Sequence, residues 1–245
     1  MNRDQLDYSA AHAEIRPDLR AAHGMILEYL RRPGSWFTGA QRLAIAAEAR
    51  LAPECGLCRE RKRALSPEHA AGRHQSADGL SDALVDLIHR VRTDPGRLSR
   101  PWYERVRASG VSEGEYVEAV GIVAFTAGID VFCRALGIAC LPLREPLPGE
   151  PSGHRPEKVR QGIAWVPLLL PEDASGPDAD VYAGAGFVPN IVRALSLVPD
   201  HVRALRSWSA AHYVELRDLT ARRALDRPQI ELVAARVSAL NQCFY

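Results

Sequence analysis

The chain carries almost no net charge, no long uninterrupted apolar run and almost no lysine. The first two shortages each close off a class of function. Its 31 basic and 30 acidic residues leave a formal charge of +1, so no global field draws it to nucleic acid or to an anionic lipid surface. No unbroken apolar run approaches the roughly 18 residues expected of a membrane span. Residues 1–10 are polar and acidic and lack the apolar stretch of a secretory signal. These absences lead to the expectation of a cytoplasmic protein with no nucleic-acid and no membrane partner. Lysine occurs only at Lys62 and Lys158, which reads as compositional bias and excludes nothing. What is present, 47% hydrophobic and 25% charged residues over 245 positions, is enough for one large core or two modest ones.

Apolar residues recur at spacings of three and four, and alternating β-branched runs are few, so the expected fold class is all-α. Pro17-Asp18 opens a first helix that ends near Pro33-Gly34, and Thr38 caps an Ala-rich helix to Leu51. Pro53 suits a first helical turn and restarts the helix, which places Cys55 and Cys58 at its beginning. Residues 66–80 read as a loop, followed by helices from Asp82 to Arg92 and around Trp102 to Ala108. Ser112 stands three residues before Glu115, a capping box that opens the long apolar helix to Leu136. Five prolines between 142 and 156 rule out a helix or central strand there. The expected organisation is therefore a helical domain over 1–140, a Pro/Gly-rich linker over 141–160 and a second helical segment over 161–245. Helices resume in that segment at Val188-Pro189, His201 and Arg227.

The second segment echoes the first. Aligning Cys243 on Cys55 pairs Thr38 with Asp226, Gln41 with Gln229, Ile45 with Val233 and Ala46 with Ala234, while Pro199-Asp200 echoes Pro17-Asp18. This is the pattern of an incomplete internal repeat.

Five cysteines, an odd number, without a secretory signal argue against a disulfide framework and for thiols with chemistry or simple burial. Cys55 and Cys58, two apart at a helix start, can close a disulfide, and unpaired backbone N–H groups there favour a thiolate. Such a thiolate can attack a peroxide oxygen, form a sulfenic acid and be resolved by its neighbour. Arg59, Arg61, Lys62 and Arg63 follow and add positive potential. The competing reading is zinc, since Cys55, Cys58, His69 and His74 follow a C-x2-C…H-x4-H order. Against it stand the short gap to His69 and Pro67 within the expected histidine helix; no metal or other cofactor is therefore expected. Glu118, Thr126, Asp130 and Arg134 form a stripe on the long helix that could turn carboxylates toward the thiols, with Glu118 the foremost. The plainer alternative is a capped helix end with an Asp130–Arg134 surface pair. Glu48 and His89 rank as weaker candidates.

Taken together, Cys55-Gly56-Leu57-Cys58 behind an Ala-rich helix, the stretch from Gly110 to Val120, and the stretches from Phe187 and from Glu231 to Cys243 resemble the alkylhydroperoxidase (AhpD-like) and carboxymuconolactone decarboxylase superfamily. The resemblance implies an AhpD-like helical bundle, frequently a homo-oligomer. It implies a thiol-dependent peroxidase that reduces a hydroperoxide through its C-x-x-C pair and draws electrons from a protein dithiol donor. In that family a Glu twelve residues before the first Cys and a His four residues after the second relay protons. The Glu position is Leu43 in the first repeat and Glu231 in the second, and the His position is Lys62. The resemblance thus implies Cys55, Cys58, Glu231 and Cys243 as catalytic positions. It also places a cysteine at position 246, one past Tyr245, so the expectation is a second repeat cut short, for instance by a selenocysteine codon read as a stop. The superfamily's decarboxylase branch has no need of a C-x-x-C, and the pair therefore counts against lactone decarboxylation.

Overall fold

The computed structural model describes residues 6–77, 79–214, 220 and 224–241. Among these the chain is all-α: it forms nine α-helices and no strand, with a single isolated bridge between Arg160 and Leu168. In order the helices are α1 (Pro17–Leu30), α2 (Gly39–Leu51), α3 (Gly56–Arg63), α4 (Asp82–Thr93), α5 (Arg100–Ala108), α6 (Glu113–Ala135), α7 (Asn190–Arg193), α8 (Pro199–His212) and α9 (Arg227–Leu240).

Local chemistry fixes most of the starts. Thr38 and Ser112 each accept from the amide three residues on, and Gln41 and Glu115 return the bond, so both helices open with a full capping box. Ser81 and Ser99 cap α4 and α5 through one bond each. Pro17 and Pro199 stand at helical first turns, where a missing N–H costs nothing. Pro53 does not restart an α-helix directly: residues Ala52–Glu54 form a 3-10 turn, and Cys55, with extended backbone, is the N-cap residue of α3.

α2, α4 and α6 pack together at the centre, and α1 packs on both α2 and α8. The α2 face that enters the core includes Ile45, Ala46 and Ala49, and the two small alanines let α6 approach closely. On length and mean hydropathy alone α6 could cross a membrane, a property that a search for unbroken apolar runs passes over; here 61% of its most apolar window is buried inside the protein. Its two buried acids are paired within the core, whereas the buried Thr126 hydroxyl has no hydrogen-bond partner among the described residues. Glu118 accepts from the Trp36 amide at 2.6 Å and pairs with Arg42 at 3.4 Å, both side chains being buried. Asp130 takes a bidentate grip from Arg50 at 2.8 and 3.1 Å rather than pairing with Arg134. A Cβ on Gly34 would collide with the Glu118 carboxylate, so glycine is required there by close approach.

The Pro-rich stretch 141–160 is non-helical as expected, yet it is laced to the α1–α2 corner. The amides of Leu147, Ser152 and Gly153 donate to the carbonyls of Arg31, Gly34 and Ser35 at 2.8, 3.0 and 2.8 Å. Beyond it the main core continues without a break, since Tyr8, Ile26, Ile122, Val166, Leu197 and Ala204 belong to one apolar cluster. Two histidines key this later segment to α1. His201 of α8 donates through Nε2 to the Glu118 carbonyl at 2.9 Å and accepts from Tyr29 at 2.6 Å. His23 of α1 lies 3.0 Å from His212 and 2.6 Å from the Tyr8 hydroxyl. Burial drives His201 down to about 3, with the Arg42 charge adding to the shift. Burial, with His212 alongside, drives His23 to about 4.

Candidate active site at Cys55 and Cys58

The 3-10 turn 52–54 sets the two cysteines one helical turn apart, Cys55 at the N-cap and Cys58 in the first turn of α3. Arg97 holds the far end of α3 by donating to the carbonyls of Arg61 and Ala64 at 2.6 and 2.8 Å. Both thiols are buried, at 1% and 3% exposure, and both are free cysteines.

Two histidines from elsewhere in the chain close on them. His74, in the loop before α4, places Nδ1 3.6 Å from each sulfur. His89, on the buried face of α4, places Nδ1 3.2 Å from the Cys58 sulfur. Each ring has a carboxylate behind it: His89 Nε2 lies 2.6 Å from Glu48, and His74 Nε2 lies 3.0 Å from Asp86. For His89, pushed toward neutral, the carboxylate at Nε2 selects the tautomer that carries its proton there and turns the Nδ1 lone pair toward the Cys58 sulfur, whereas His74, held protonated, presents an Nδ1–H to both sulfurs. Asp86 is itself held by Arg61 at 2.6 Å and by the Trp102 indole at 2.9 Å. Glu48 also accepts from the Ala77 amide at 3.0 Å.

These contacts polarise the site. Burial opposes the Cys55 thiolate, but the backbone amides of Cys58 and Gln75 and the His74 imidazole outweigh it and bring the thiol down to about 7. Burial likewise opposes protonated His74, yet its bond to Asp86 and the two sulfurs lift it to about 10. Burial is the largest single influence on Asp86 and raises it, but His74, Trp102 and Arg61 together outweigh it and keep the carboxyl well below the ordinary carboxylate range. For His89 burial among the helices wins over Glu48, and the ring is pushed down, toward neutral.

Segment 70–77 lies over the thiols. Ala70 packs on the Cys55, Leu57 and Cys58 cluster, Gln75 accepts from the Gly56 amide at 3.1 Å, and Ala77 is tied to Glu48. Behind Asp86 and Arg61 opens a cleft of about 560 Å³ that is also lined by Arg90, Trp102 and Arg105.

The expected site residues separate into two groups. Cys55 and Cys58 stand at the centre, joined by the two residues ranked as weaker candidates, Glu48 and His89. Glu118 does not face them: its partners are Arg42 and the Trp36 amide, and burial raises its carboxyl to about 7 against the pull of Arg42 and nearby amides. Glu231 lies on α9 and is engaged by the Tyr213 hydroxyl at 2.8 Å and by Arg227 at 2.6 Å. Cys243 and Tyr245 lie outside the described residues. Of the proposed zinc set, His74 is present, but His69 sits exposed in the 3-10 turn Pro67–His69, and His89 takes its place. Sequence spacing pointed to His69 because the two-cysteine, two-histidine pattern counts residues, whereas α4 supplies its histidine from 31 positions beyond Cys58. A signal for the others does exist, since a single Glu in Ala-Ala-Glu-Ala and a single His in Leu-Ile-His-Arg-Val stand at core positions of their helices. No protein-family model, no curated protein and no solved structure matches this chain.

Proposed function

We propose that the protein is a thiol–disulfide oxidoreductase that reduces hydroperoxides through Cys55 and Cys58, in keeping with its resemblance to the alkylhydroperoxidase superfamily. The observation that carries this reading is the buried chain Glu48–His89–Cys58, a carboxylate–imidazole–thiol relay that ends one helical turn from a second thiol. It supplies the proton relay that Leu43 and Lys62 cannot.

The chemistry balances within the cluster. Cys55 reacts as thiolate and attacks the terminal peroxide oxygen; the O–O bond breaks, and His74, protonated and 3.6 Å from that sulfur, gives its proton to the departing alkoxide. Cys55 is then a sulfenic acid. Cys58 passes its proton to His89 as its sulfur attacks Cys55; the sulfenic hydroxyl leaves with that proton as water, and a Cys55–Cys58 disulfide remains. A protein dithiol donor returns the two electrons. Because the thiols are covered, peroxide enters when segment 70–77 lifts, a motion that breaks the Gln75 and Ala77 bonds, and reacts once the segment has closed and returned His74 to the Cys55 sulfur.

Stopped-flow mixing of reduced, chelator-treated protein with hydroperoxide tests the reading. Loss of both thiols is the expected result, with the loss of Cys58 slowed about 10²–10⁴-fold in His89→Ala and the loss of Cys55 unchanged. Thiols that persist through the reaction would refute it.

A further inference from the structure

The same cluster has the dimensions of a metal site. Cys55 Sγ, Cys58 Sγ, His74 Nδ1 and His89 Nδ1 all lie within 4.8 Å of one another. Zinc binds thiolate at about 2.3 Å and imidazole at about 2.0–2.1 Å, which makes the sulfur-to-nitrogen edge of a tetrahedron about 3.5 Å. Three of the four sulfur–nitrogen separations here are 3.6, 3.6 and 3.2 Å, and the fourth, Cys55 to His89, is within 4.8 Å.

We propose that reduced Cys55 and Cys58, with His74 and His89, form a tetrahedral S₂N₂ site for one zinc ion. Three further features fit. Both imidazoles aim Nδ1 inward and leave Nε2 on a carboxylate, Asp86 for His74 and Glu48 for His89, which is the outer-shell arrangement that fixes metal-binding histidines. Two thiolates neutralise a divalent cation, so the filled site places no net charge in the core. Two soft and two borderline ligands in a tetrahedron favour zinc over the hard cations. The site is closed, with no fifth donor among the described residues that form the cluster, so the ion would brace α3, α4 and segment 70–77 together.

The zinc site does not depend on the peroxidase reading, but the two share sulfurs and exclude each other in time. A disulfide removes two of four ligands, and a bound ion holds both thiolates away from peroxide. Zinc thus acts as a guard on the reduced pair, and its loss precedes oxidation.

The test uses the full chain, reduced, stripped with chelator and checked for native circular dichroism, then titrated with cobalt(II) as a spectroscopic stand-in and with zinc in competition. One equivalent of cobalt with the intense visible bands of tetrahedral coordination and a thiolate charge-transfer band is expected, displaced by one equivalent of zinc. Glu48→Gln should weaken binding about 10–100-fold, His74→Ala and His89→Ala by more, and His69→Ala not at all. A folded, reduced chain that gives no tetrahedral cobalt spectrum overturns the proposal, as does one whose spectrum survives both His74→Ala and His89→Ala. Hydroperoxide added to the metal-free protein reads the redox proposal separately, so zinc binding with inert thiols, or reactive thiols without zinc, shows which of the two has failed.

Discussion

Helices α2 and α9 begin alike and finish in different surroundings. Thr38 with Gln41 and Asp226 with Gln229 form equivalent capping boxes at equivalent positions of the sequence alignment. From there α2 buries Ile45, Ala46 and Ala49 completely, whereas α9 leaves Leu232, Val233, Val237 and Leu240 exposed. The charged residues part in the same way. α2 carries both Arg42 and Glu48 into the interior with partners waiting, while Glu231 of α9 stays nearly half exposed and only its partner Arg227 is buried. Cap chemistry is local and decides where a helix starts; what the helix is worth depends on what covers it. A site with buried relays can form only behind the covered copy.

The comparison can be broken by experiments of decreasing expected size. Acid should act most strongly, because it works on two histidines at the seam between α1 and α8 together. His201 and His23 are held at about 3 and about 4, below the 6.5 of a free histidine. The unfolded chain therefore takes up protons that the native chain refuses, so their contribution is complete above pH 6.5 and is lost as pH falls toward 4 and then 3. Urea midpoints that do not decline over this window, or that do so equally in His201→Gln, would contradict it. Next, Glu118→Ala leaves Arg42 charged and buried and should cost about 3–5 kcal/mol, whereas Glu231→Ala should leave the urea midpoint where it is. Removing packing gives a similar contrast at the aligned pair Ile45 and Val233: Ile45→Ala should cost about 2–5 kcal/mol, and Val233→Ala, at 56% exposure, less than about 0.5 kcal/mol. Smallest is the cap itself. Thr38→Ala should lower global stability by about 1 kcal/mol, while Asp226→Ala should raise hydrogen exchange in the first turn of α9 without moving the global transition.

Much of the fold can be read in the sequence, and the reason is the same locality. Thr38, Ser112 and Pro17 mark helix starts through bonds that span three residues or fewer, and the prolines of 141–160 forbid helix one residue at a time. What that stretch does, strapping the α1–α2 corner through Leu147, Ser152 and Gly153, depends on where a distant corner lies. The site divides along the same line. The Cys55–Cys58 pair is a local pattern and is legible. Glu48 and His89 share no spacing rule with it, since α2 and α4 meet the thiols through packing. Glu118 attracts attention because a carboxylate on an apolar helix stands out, but it faces Arg42 and the 34–37 turn, so the buried charge serves structure. His69 illustrates the converse: it satisfies a spacing pattern, and the 3-10 turn after Ser66 leaves it exposed at the surface.

Peptide mass spectrometry of the reduced, chelator-treated protein after brief exposure to hydroperoxide tests most directly whether the covered half holds a working thiol pair. The result predicted is a Cys55–Cys58 crosslink lacking two hydrogens, formed far more slowly in His89→Ala and in Glu48→Gln. Cys55 and Cys58 recovered as free thiols, or oxidised to sulfinic acids without ever joining, would contradict it.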